Sequence, residues 1–81
     1  MTQEVKLTFI LQYLYSKKFD GGYHSIIEIL QEKGIEVNIN ESNALARELE
    51  HKGFIKASIT KDGASAFITS EGVDYIENMQ S

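Results

Sequence analysis

The sequence predicts a small α+β domain, and three observations carry that prediction. Apolar residues recur at helical spacing in four stretches, near residues 5–18, 25–33, 41–52 and 70–79. Two runs of alternating polarity flank an Asp62-Gly63 pair, the strongest short hairpin signal a sequence can carry. Glycines and capping side chains separate each run from the next. With 81 residues there is room for one domain, 1–81, whose core is a single thin layer.

Each element follows from local chemistry. Thr2 is placed to cap a first helix reaching about Lys18, with Glu4 at its positive end and Lys17 and Lys18 at its negative end. Leu7, Ile10, Leu11 and Leu14 form one stripe of it, while Val5, Phe9 and Tyr13 form another on nearly the opposite face. Gly21-Gly22 breaks the chain. Ser25-Ile26-Ile27-Glu28 has capping-box spacing and opens a second helix that Gly34 closes, with Tyr23, Ile26, Ile27, Ile29 and Leu30 on one face. Ile35-Glu36-Val37-Asn38-Ile39 alternates strictly and predicts a short strand. Asn40 then caps a third helix that runs to Gly53 with Leu45, Leu49 and the small Ala46 inward. The hairpin spans 54–69, and Thr69 caps a last short helix carrying Val73, Tyr75, Ile76 and Met79.

Composition removes several function classes. The absence of Cys excludes a disulfide scaffold, a thiolate nucleophile and a Cys-ligated metal. His24 and His51 have no converging set of ligand residues in sequence, and the Ser and Thr residues sit at caps and turns, without a base at a suggestive spacing. No enzymatic activity, cofactor or metal is expected. The N-terminal stretch mixes charge into its apolar run, so neither a signal peptide nor a membrane span is expected, and the cytoplasm is the expected location. A net charge of −4 argues against a polyanion as partner.

Two phrases in the sequence carry a resemblance. Leu45, Leu49, Glu50, Lys52, Gly53, Phe54 and Ile55 read L-x-x-x-L-E-x-K-G-F-I, and Ile68-Thr69-x-x-Gly72-x-x-Tyr75-Ile76 follows the Asp-Gly hairpin. In that order they resemble the winged-helix domains of MarR- and PadR-type bacterial regulators, whose third helix ends L-E-x-x-G-L-I and whose wing ends L-T-x-x-G. The resemblance covers roughly residues 5–79. It implies a small winged helix: a three-helix core, a short strand, a β-hairpin wing and a short C-terminal helix.

It also implies double-stranded DNA as partner, with helix 40–53 in the major groove and wing 55–69 on the backbone or minor groove. Carried over by position, Glu41, Ser42, Asn43 and Arg47 would face the groove, and Lys56 and Lys61 a phosphate. Asn pairs with adenine edges and Arg with guanine edges, so those types suit base reading. Arg47 could equally pair with Glu50 three residues on, and Asn43 could serve in first-turn capping. The sequence departs from the pattern in three ways. The third helix sets Arg47 and Lys52 against Glu41, Glu48 and Glu50; the wing tip lacks arginine; and no long C-terminal helix is present for dimerisation. An alternative function is a protein–protein interaction module on the same fold, for which an acidic surface is acceptable. The Val5, Phe9 and Tyr13 stripe needs a partner, either the last helix through Tyr75, Ile76 and Met79 or the first helix of a second copy in a homodimer.

The acidity is unevenly spread. Residues 1–22 carry Lys6, Lys17 and Lys18 against Glu4 and Asp20, and the hairpin segment carries Lys56 and Lys61 against Asp62, so each is net +1. Residues 70–81 carry Glu71, Asp74 and Glu77 with no base, net −3. The acidic balance therefore lies largely on the last helix.

Overall fold

In a computed structural model describing residues 2–80, four helices cover one face of a three-stranded antiparallel sheet. The single-domain expectation extends to Met1 and Ser81, which lie outside the described residues. Helix α1 spans Gln3–Ser16, with the Thr2 hydroxyl accepting the Val5 N–H at 3.4 Å. It ends two residues before the expected Lys18, and Lys17 is its C-cap. Leu7, Ile10, Leu11 and Leu14 are its buried residues; fully burying such a side chain contributes about 1.5–3 kcal/mol.

After α1 the order differs from expectation. Gly21 and Gly22, both at positive φ, lead the chain into β1, a two-residue strand at His24–Ser25. Ser25 then caps α2 (Ile26–Gln31) through the Glu28 N–H, and Gly34 ends it while the Ile35 N–H bonds the Leu30 carbonyl at 2.9 Å. Residues 35–39 do not form the expected strand. The edge of the sheet that they would have joined is taken by β1, which pairs His24 with Ala66 and Ser25 with Ser65. Their alternation still has a cause: Ile35 is buried and Val37 half-buried under an extended link.

Helix α3 spans Ile39–His51, and its cap is Asn38 rather than Asn40. The Asn38 carboxamide oxygen accepts the Glu41 N–H at 2.7 Å, and Asn38-x-x-Glu41 has the acidic spacing that Asn40-x-x-Asn43 lacks. Strands β2 (Ile55–Thr60) and β3 (Gly63–Ile68) form the hairpin, and the sheet order is β1-β3-β2. Thr60 pairs with Gly63, leaving Lys61 and Asp62 as the two-residue connection. The Thr60 hydroxyl accepts the Asp62 N–H at 3.1 Å and donates to the Gly63 carbonyl at 2.9 Å, which fixes this turn. The sheet is clearly two-sided. Ile55, Ala57, Ile59, Ala64, Ala66 and Ile68 face the helices; Lys56, Ser58, Ser65 and Phe67 face solvent.

Helix α4, Ser70–Gln80, docks through a clasp at its start. Thr69 Oγ1 donates to the Gly53 carbonyl at 2.6 Å and accepts the Gly72 N–H at 3.1 Å. The Thr69 N–H bonds the Phe54 carbonyl at 2.9 Å, and the Phe54 ring stacks on Tyr75 at 4.4 Å. Gly72 passes so close that a Cβ there would collide with the Phe54 carbonyl oxygen and reach Ile68 Cγ1 at 2.6 Å. Gly53, at φ +82, ends α3 and turns the chain into β2. The two sequence phrases are thus one contact in space.

Of the α4 residues expected to cover Val5, Phe9 and Tyr13, Ile76 is buried in the core. Tyr75 is occupied by Phe54, Met79 is exposed, and α4 meets α1 where the Tyr15 hydroxyl donates to Glu77 at 3.0 Å. Phe9 and Tyr13 are half-buried, Phe9 beneath Lys33 at 5.5 Å and Tyr13 edge-on to His24 at 5.8 Å. Val5 stays exposed. Tyr23, expected on the apolar face of α2, lies outside that helix and is also exposed.

Candidate nucleic-acid interface

Helix α3 buries Ser42, Leu45, Ala46 and Leu49 against the sheet and the other helices, so its outward side is set by rotation about the axis. At about 100° per residue, Asn40, Ala44, Arg47 and His51 fall on one outward stripe, and all four are exposed. Arg47 was foreseen from the sequence; Asn40, Ala44 and His51 were not. The signal that finds them is the i, i+4, i+7, i+11 spacing opposite Leu45 and Leu49. With the N-cap at Asn38 and not at Asn40, Asn40 belongs to the helix face.

The structure sorts the sequence candidates differently from the resemblance. Ser42 is fully buried, and its hydroxyl accepts the Ala64 N–H at 3.3 Å, so it belongs to the α3–β3 packing and not to a surface. Asn43 is half-buried and donates from Nδ2 to the Thr60 carbonyl at 3.4 Å, tying α3 to the hairpin beside the turn. Arg47 and Lys61 are exposed, one on the helix and one at the turn, on the two elements that Asn43 joins. Lys56 is separated from them. It pairs across the strands with Phe67 on the solvent face of the sheet, whereas α3 packs on the opposite face.

The carboxylates of α3 each have a partner within the chain. Glu41, which the resemblance put in the groove, forms an ion pair with Lys6 of α1, and Glu48 accepts a hydrogen bond from Gln3. Glu50 accepts the Ala57 N–H at 3.0 Å, closing a backbone donor on the edge strand β2. The Arg47–Glu50 pair that the sequence allowed is therefore not made, and among the described residues Arg47 has no ion-pair partner. Two of the three acids point along α1 and one along β2, leaving the guanidinium as the charge that projects from the outward stripe.

Among the described residues no group of three or more His, Cys, Asp and Glu could hold a metal ion. No helix among them is long and apolar enough to cross a membrane. His51 stands exposed on the α3 stripe, and His24 lies in β1 against Tyr13, so the two imidazoles are in different parts of the fold. Comparison of the chain with family models, with curated proteins and with solved structures finds no match in any of the three.

Proposed function

We propose that this chain is a winged-helix domain that binds double-stranded DNA, with α3 laid in the major groove and the Lys61-Asp62 turn on the flanking backbone. The observation that carries the reading is the α3 stripe itself. Asn40, Ala44, Arg47 and His51 are small or polar and exposed, and their side chains have no partner among the described residues, while the acids of the same helix are each turned to one. A helix entering a groove needs that arrangement: little steric bulk, donors for base edges, and no carboxylate aimed at phosphates. Arg47 supplies a fork that fits guanine and Asn40 an amide that fits adenine. Lys61 neutralises a phosphate as a point charge, and Asn43 holds the turn at a fixed place beside the helix. In this reading Ser42 and Asn43 position the elements and do not touch DNA, and Lys56 is not part of the surface.

A second reading has an observation of its own. Val5 is 37% exposed and borders a shallow cleft with Thr8, Phe9 and Gln12 on the outer side of α1, which suits a protein partner or a second copy of the chain. The two readings separate on one titration. DNA binding through several cations makes log affinity for a random duplex fall linearly with log salt, by roughly 0.9 for each phosphate neutralised. A folded protein that does not bind duplex at low salt leaves only the protein-interaction reading.

A further inference from the structure

We propose that the solvent face of the sheet is a second binding surface, which takes single-stranded nucleic acid by base stacking. Three strands bring one row of side chains together there. Lys56 of β2 is opposite Phe67 of β3, and Tyr23, just before β1, meets Phe67 edge to face at 5.2 Å. Phe67 is 37% exposed and Tyr23 53%, so each ring keeps an open side. Phe67 also borders a cleft of about 180 Å³ at the end of α1, lined by Lys17, Lys18, Gly21 and Gly22 and, from the helix side of the sheet, by Leu14, His24 and Ile68. Phe19, next to Lys18 in the chain, is 92% exposed, with the Lys18 ammonium 5.2 Å from its ring centre and 3.6 Å from that of Tyr15.

Charge and shape choose the occupant. Lys17 and Lys18 line this cleft, and none of its lining residues is acidic. The surface therefore favours a polyanion. An aromatic pair flanked by lysines adds a demand for planar rings, since every base has a face to stack and backbone phosphates follow the cations. A duplex hides its base faces, so the strand must be single. The glycine pair leaves that part of the cleft wall without side chains.

This surface is distinct from the α3 stripe and stands or falls separately. A short fluorescein-labelled oligothymidylate, titrated with the full chain and followed by anisotropy, is the probe. Binding at low salt is expected. Phe67→Leu keeps the apolar bulk in β3 and removes the ring, and is expected to weaken binding roughly five- to hundredfold, the span of base–aromatic stacking. Photocrosslinking a bromodeoxyuridine oligomer to the wild-type chain is expected to mark the peptide holding Tyr23 or the one holding Phe67. The proposal is overturned by no binding at low salt, by equal binding of Phe67→Leu and wild type, or by crosslinks confined to α3. Polyglutamate displacing the oligomer as well as unlabelled oligothymidylate does would also overturn it, pointing to an acidic protein instead.

Discussion

The clasp at Gly53, Phe54, Thr69 and Gly72 and the outward stripe of α3 lie at opposite extremes of constraint. In the clasp nearly every polar atom has a partner: one threonine side chain serves two backbone groups, and one carbonyl accepts a hydrogen bond while a glycine passes beside it. On the stripe, the side chains of Asn40, Ala44, Arg47 and His51 touch solvent and make no hydrogen bond or ion pair among the described residues. The first region stabilises the fold and leaves little room for substitution. The second contributes little to stability and is free to carry recognition. The contrast also warns that residues which most strongly mark a fold in sequence say least about what the fold does.

Substitutions can break this division or sharpen it. The largest effect is expected from Gly72→Ala, whose methyl would strike the Phe54 carbonyl and Ile68. Overpacking of that kind costs about 3 kcal/mol, which for a domain of this size lowers the thermal midpoint by roughly 10–20 °C in a circular dichroism melt. A midpoint within a degree or two of wild type would mean that the clasp is not tight. Next is Ser42→Ala. It leaves the buried Ala64 N–H without its acceptor and is expected to cost about 1 kcal/mol in urea unfolding, with no change in duplex affinity for the fraction that remains folded. If that variant loses DNA binding while staying folded, Ser42 reads DNA after all and the partition between the regions fails.

The smallest effect is expected from Glu50→Gln. The amide oxygen can still accept the Ala57 N–H, so the melt should barely move. One negative charge leaves the neighbourhood of Arg47, and duplex binding at low salt should tighten by about two- to fivefold, the scale of a single charge near water. Weaker binding in an anisotropy titration would show that Glu50 contributes a contact of its own.

These residues also show what could be read in advance. Gly53 and Thr69 were legible because each has one local task, a left-handed helix end and an N-cap, that few residue types perform. The hairpin was legible from Asp62-Gly63, although Gly63 closes the ladder opposite Thr60, and a Cβ there would come within 3.2 Å of Ile27 Cδ1. The strand expected at 35–39 failed because alternation reports which residues point inward and not whether a neighbouring strand exists. Strand β1 was invisible because two residues carry no period. For the candidate site, Arg47 and Lys61 were named through the resemblance, and both are exposed. Ser42 could not be placed, because whether a small hydroxyl on the helix faces groove or sheet depends on where β3 lies. Lys56 was separated from Arg47 by the pleat, a fact that needs the register and not the residue type.

The central claim is that the outward stripe of α3 binds DNA and does not support the fold. It is tested most directly by measuring duplex affinity against salt for wild type and Arg47→Ala, with a thermal melt of each. The account predicts unchanged melts, weaker binding for Arg47→Ala, and a log–log slope shallower by about one if the guanidinium meets a phosphate. If it reads a base instead, the slope is kept and preference at one base pair is lost. Identical binding curves for the two folded proteins, or no duplex binding by wild type at low salt, would contradict it.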